Sequence, residues 1–199
     1  MTDHSGIHIV GILGSVRPGN YTAKAFALVA DEIRRNRPDV SLEVIDPGSL
    51  KLPFPGMRTD PHDAAALREA VSKATGVILA TPEYHGSFSA MMKLVIENLG
   101  FPSVLAAKPV SLLGVAAGEI GAIKSLEALG GVCHHVGAIV LPGTVSVGGV
   151  QQVFDEAGNC RNPVVEKRIR SIATNLLDYI AGAICPRIAL EAMVRGVDH

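Results

Sequence analysis

Five short runs rich in β-branched residues and leucine punctuate the chain: His8 to Leu13, Leu42 to Ile45, Gly76 to Thr81, Val110 to Val115 and Val136 to Leu141. Each is bounded by glycine, proline or a polar cluster, and longer segments of helical period lie between them. That alternation predicts a parallel sheet with helices on both faces, because the crossover between parallel strands is normally a helix. The 199 residues suit one such α/β domain and leave little room for a second. We take residues 1–199 as a single unit with its core over about 6–182.

The intervening segments carry their own signatures. Ala23, Phe26, Ala27, Ala30 and Ile33 recur at helical spacing, with Lys24, Asp31 and Arg35 opposite. Asp60-Pro61 and Asn162-Pro163 each read as a helix cap followed by proline at the first helical position. The first of these helices offers Leu67, Ala70, Val71 and Ala74 to the sheet, and the second offers Val165, Ile169, Ile172, Leu176 and Ile180. Ser87 to Leu99 is apolar on nearly all sides, so this helix needs two partners. One is the sheet; the other is either a second copy of the chain across a twofold axis or the chain's own loops. The tail after Pro186 carries no assignment.

Several function classes are disfavoured. Formal net charge is −1 with signs interspersed, which gives no basic stripe for nucleic acid. No apolar run approaches the roughly 18 residues that span a bilayer. The start, MTDHSGIHIVGILGS, lacks a basic region, long apolar stretch and cleavage site, so the expectation is cytoplasmic. Cys133, Cys160 and Cys185 show no C-x-x-C spacing, and Cys133-His134-His135 point different ways on one element, so no metal is expected.

In an open parallel sheet, chemistry collects where strands end and helices begin. The loop after the first run reads Gly14-Ser15-Val16-Arg17-Pro18-Gly19-Asn20-Tyr21-Thr22. Glycines for tight turning, helix-start amides, the short donors Ser15, Asn20 and Thr22, and the permanent charge of Arg17 together suit a phosphate. The alternative is an ordinary capped turn. The spacing departs from G-x-x-x-x-G-K-[ST] at Asn20 and Tyr21, and Gly11 to Gly14 does not fit G-x-G-x-x-G.

After the third run comes Thr81-Pro82-Glu83-Tyr84-His85-Gly86-Ser87. The pair GSVRPGNYT and TPEYHGSFSAMMKLVIENLG resembles the NADPH-dependent FMN reductase family, which includes quinone, chromate and azo reductases. The resemblance implies a flavodoxin-like three-layer α/β sandwich with a five-stranded parallel sheet of order 2-1-3-4-5. It also implies tightly but non-covalently bound FMN, NADPH as co-substrate with NADH as the other candidate donor, and a homodimer or homotetramer formed through the 87–99 helix. Carried over by position, Ser15, Arg17, Asn20 and Thr22 hold the FMN phosphate with Tyr21 close by. Pro82, Glu83, Tyr84, His85, Gly86 and Ser87 edge the ribityl chain and ring. A flavin needs a flat wall and backbone donors and acceptors, which a Pro-Glu-Tyr turn can supply; Tyr84 taken alone also reads as a half-buried core aromatic.

A third stretch, Ala116 to Lys124, is small and glycine-rich and opens a helix. Ala117, Gly118 and Glu119 let backbone approach the ring, and amides at the helix start can stabilise charge gained on reduction. The family's S-x-G-x-x-G-G-x-R is altered here at Ala116 or Ala117, at Glu119 and at Lys124. No side chain is singled out as catalytic: the cofactor carries the redox chemistry and the protein orients. The expected reaction is hydride transfer from NADPH to FMN and onward to a quinone, azo compound, metal oxyanion or free flavin. His85 is either a substrate-positioning or proton-donating group or an ordinary loop histidine. The competing readings are an FMN-binding electron carrier without a nicotinamide site and a flavin-free scaffold of the same fold.

Overall fold

The computed structural model describes residues 6–57 and 62–196. Strand β1 (His8–Leu13) lies between β2 (Ser41–Ile45) and β3 (Gly76–Tyr84), and β3 pairs on its other side with β5 (Pro109–Val115), all in parallel. The outer position is filled by two short segments, β6 (Ile139–Val140) and β7 (Val145–Val147), which both pair with β5. A two-residue strand, β4 (Ser87–Phe88), folds back antiparallel on the end of β3.

The five positions across the sheet therefore follow the expected 2-1-3-4-5 connectivity, with seven strands rather than five. Two corrections follow. The fifth run is not one strand from Val136: Val136 closes a helix, Gly137 turns with φ of 83°, and the edge strand is interrupted around Pro142-Gly143. The third strand does not stop at Thr81 but carries Pro82, Glu83 and Tyr84 as strand residues, because Pro82 still pairs with Val115 of β5 and β4 supplies partners for Glu83 and Tyr84 beyond the parallel sheet.

Helices α1 (Tyr21–Asn36) and α6 (Pro163–Tyr179) cover one face, and α2 (His62–Lys73), α3 (Ala90–Asn98) and α4 (Ile123–His135) cover the other. β1 feeds both layers, Ile9 and Leu13 to the first and Val10 and Ile12 to the second, which makes its whole run apolar. On α1 the buried stripe is Ala25, Phe26, Val29, Ala30 and Ile33; Ala27, expected inside, is exposed. On α6 Ile169, Ile172, Ala173, Leu176 and Leu177 are buried, with Asn162 capping the amides of Val164 and Val165. The Asp60-Pro61 cap lies outside the described residues. The tail left unassigned is helical: a π-helical turn over Ile180–Ile184 leads into α7 (Cys185–Gly196). A short helix, α5 (Val150–Val153), follows β7.

Among the described residues no helix is long and apolar enough to cross a membrane. The three cysteines are free thiols, and burial on α4 pushes Cys133 up to about 12.

Two surface helices are clamped by one arginine. Arg170 of α6 reaches Asp31 at 2.8 Å, Glu32 at 3.3 Å and Glu166 at 2.9 Å, and it donates to the Leu28 carbonyl. Its hydrogen bond holds the Asp31 carboxyl below the ordinary carboxylate range. The folded state then binds that proton less readily than the unfolded chain. The contribution is complete above the unfolded carboxylate value and is lost as pH falls through the lower folded value. Arg170→Met is expected to lower stability by about 1–3 kcal/mol at pH 7 and to flatten the acid limb of stability against pH, both read by urea unfolding.

Candidate functional site

The parallel register sets Leu13 beside Ala80, so β1 and β3 leave the sheet at the same level. Gly14 N–H donates to the Ala80 carbonyl at 2.6 Å, and a Cβ at Gly14 would meet that same oxygen, which is why no larger residue turns here. The Gly14 carbonyl accepts from Ser89 Oγ at 2.5 Å. Ser89, almost fully buried, also caps α3 by accepting from Met92 N–H, while its own N–H donates to Thr81 Oγ1. The first loop, the second loop and α3 thus share one buried hydrogen-bond chain.

On the first loop, Asn20 is the cap of α1. Its Oδ1 accepts from Ala23 N–H and its amide donates to the carbonyls of Arg17 and Ser15. Both ends of that side chain are committed to shaping the loop. Ser15 is different: its Oγ is buried and has no hydrogen-bond partner. A buried hydroxyl left unmatched costs about 1–3 kcal/mol, so this atom is free to donate to an oxygen of a ligand entering the loop ahead of the 16-residue α1. The Arg17 guanidinium stands 4.8 Å from the centre of the Tyr84 ring and joins the two loops across the gap.

Ser15, Arg17, Asn20, Tyr21, Thr22, Pro82, Glu83, Tyr84 and Ala117 line one cavity of about 370 Å³. His85, Gly86, Ser87, Gly118 and Glu119 do not line it. His85 and Gly86, both with positive φ, form the exposed tip of the β3–β4 hairpin, and Gly118 and Glu119 lie on an exposed segment next to Ala117. Pro18 and Gly19 of the first loop and Ala116 of the third stretch also line it, and Val115, Val150 and Gln151 join them from outside the expected motifs. Val115 ends β5 directly ahead of Ala116. Val150 and Gln151 follow β7, and the unforeseen split of the edge strand hid them.

The third loop is held by backbone contact. Gly118 O accepts from Gly121 N–H and Gly149 N–H, Ser146 Oγ accepts from Ala122 N–H, and a Cβ at Gly148 would collide with the Glu119 carbonyl. One amide at the start of α4 is already engaged within the chain: Glu83 Oε2 accepts from Ser125 N–H at 3.1 Å. The FMN that the sequence resemblance implies fits this donor set: an unmatched buried hydroxyl and an arginine for its phosphate, and an aromatic wall with small residues opposite for its ring.

Comparison with known proteins agrees in class. The sequence profile described as NADPH-dependent FMN reductase matches residues 7–152. An NADPH azoreductase of Bacillus sp. (strain OY1-2) is 28% identical over 174 residues, covering 86% of this chain and 93% of the relative. An NADPH:quinone oxidoreductase of Arabidopsis thaliana is 26% identical over 189 residues, covering 85% and 90%. Among solved structures, the flavoenzyme NAD(P)H:(acceptor) oxidoreductase FerB from Paracoccus denitrificans superposes with a TM-score of 0.73 at 18% identity, covering 88% of this chain and 97% of that one, a likeness of fold.

Replacing Arg17 with alanine is expected to weaken FMN binding by roughly 2 kcal/mol, the scale of a charge-assisted hydrogen bond. Titration of apoprotein with FMN, followed by flavin fluorescence, reads this directly; unchanged affinity removes Arg17 from the phosphate.

Proposed function

The chain belongs to the NADPH-dependent FMN reductase family, and on that premise we propose that FMN occupies the cavity walled by Ser15, Tyr84 and Ala117. The protein is an NADPH-dependent oxidoreductase with FMN as cofactor, acting on a small acceptor. The observation that carries the placement is the Ser15 hydroxyl, buried and unmatched at the helix start.

When bound, FMN supplies the hydride-accepting and electron-donating chemistry that no side chain of this chain offers. The residues bind, orient and exclude water. Ser15 Oγ donates to a phosphate oxygen, and Arg17 neutralises charge there. Asn20 keeps the loop closed around that phosphate through its own cap and carbonyl bonds. Pro82 and Tyr84 provide a flat apolar wall, and Ala117 allows backbone to approach closely. His85 and the segment from Ala117 to Ile120, exposed beside the cavity, are the rim past which NADPH and then the acceptor arrive. The names of the relatives support azo and quinone compounds as the acceptor classes. Use of one face by donor and acceptor in turn gives ping-pong kinetics. The free thiols support a reducing, cytoplasmic setting.

We read the chain as a homodimer. Between α3 and α4 runs a groove of about 620 Å³ with Ile96, Val132 and Val136 in its wall, and Phe101 beside it is 91% exposed. Met91 and Leu94 of α3 stay half-exposed, so the chain's own loops do not finish covering this helix. A twofold axis lets each Phe101 enter the other copy's groove, and aromatic anchors of this kind carry interfaces.

The deciding experiment is the absorbance of the FMN-reconstituted protein under anaerobic conditions. Bleaching of the flavin band on adding NADPH, at a rate matching turnover, is expected. A band that persists with both NADPH and NADH leaves only electron carriage. For the dimer, Phe101→Asp is expected to shift sedimentation from dimer to monomer with the fold retained by circular dichroism.

A further inference from the structure

Helix α4 has no side-chain cap of its own. Ala122 precedes it, and the amide of Ser125 in its first turn is met instead by the carboxylate of Glu83, 42 residues earlier. The origin of that reach is fixed, because Glu83 pairs with Phe88 in the β3–β4 hairpin. The receiving end is fixed too: Ser125 is fully buried and its Oγ donates to the Ala122 carbonyl. Immediately before Ala122 lies the tight Gly118–Gly121 turn, next to cavity-lining Ala117. Glu83 itself also lines that cavity.

We propose that Glu83 is a positioning residue: its carboxylate locks the third loop against the second and places a negative charge on the cavity wall that lowers the reduction potential of the bound FMN. This rests on FMN occupying that cavity. The hydrogen bond serves the first role. It joins the start of α4, directly after the 118–121 turn, to the second loop. The charge serves the second. A carboxylate on a helix N-terminus offsets the partial positive charge there, so the α4 dipole is spent on Glu83. Reduction adds negative charge within the cavity, and a carboxylate on its wall opposes it in a partly water-excluded setting.

Two variants separate the roles. Glu83→Gln keeps an acceptor for Ser125 N–H and removes the charge. Its FMN dissociation constant should stay within about threefold of the original protein, since the hydrogen bond survives, while the midpoint potential of the bound flavin, measured against reference dyes, becomes more positive. Glu83→Ala removes both: FMN binding by the apoprotein should weaken roughly tenfold, and the thermal unfolding midpoint of the apoprotein should fall by only a few degrees, the scale of one lost buried hydrogen bond. An unchanged potential in Glu83→Gln overturns the proposal, as does full affinity in Glu83→Ala. Equal loss of affinity in both variants also overturns it, because the side chain would then hold the cofactor through its charge. Should Glu83→Ala fail to fold, the potential and affinity of Glu83→Gln decide alone. An unaltered chain that takes up no FMN overturns this proposal together with the reading of the cavity, whereas normal uptake with unresponsive variants overturns this one only.

Discussion

The bond from Gly14 N–H to the Ala80 carbonyl ties the end of β1 to the middle of β3, and the arrangement of the proposed site hangs from it. With Ser89 Oγ on the Gly14 carbonyl, the peptide ahead of Ser15 is held at both its donor and its acceptor. Ser15 is therefore fixed at the head of the first loop, where its carbonyl accepts from the Asn20 amide that caps α1. Ser89 also caps α3, the helix whose outer side forms the groove at Phe101. A disturbance of α3 is thus one hydrogen bond away from the first loop, and the proposed cofactor site and the proposed dimer surface share a mechanical element.

Fold and function pull against each other at one atom. Nearly every buried polar side chain among the described residues is matched, yet the Ser15 hydroxyl is left without a partner. Packing on both faces of the sheet supports that cost: the strands at its centre are shielded almost completely by α1 and α6 on one side and α2, α3 and α4 on the other. An anion that satisfies Ser15 repays the cost, so ligand uptake and resistance to unfolding are linked.

The central strands and the three helices with clear stripes were legible because their apolar periods are long and their caps are local chemistry. Asn162 is the example: a short acceptor directly before a helix reads the same in sequence and in space, whereas Asn20, expected at a phosphate, caps α1. The edge strand was misread, since Val136 to Leu141 looks like one buried run although a glycine turn splits it between helix end and strand. That error concealed Val150 and Gln151 on the cavity wall. The second loop was found by its residues, but its geometry was not: Pro82 continues the parallel ladder opposite Val115, Glu83 and Tyr84 are strand because Phe88 and Ser87 pair with them, and a two-residue strand leaves no period to detect. Glu83 and Ser125 lie too far apart in sequence for any local rule to join them.

Cys133 lies on α4, the helix that begins beside the proposed FMN cavity, and burial pushes its thiol up to about 12. Quinones and related acceptors are soft electrophiles that add to thiolates rather than thiols. At neutral pH the reactive fraction of this sulfur is on the order of one part in 10⁵. α4 thus contains a nucleophile kept chemically silent by burial, a position at which a quinone acceptor of the proposed reaction finds no thiolate to arylate.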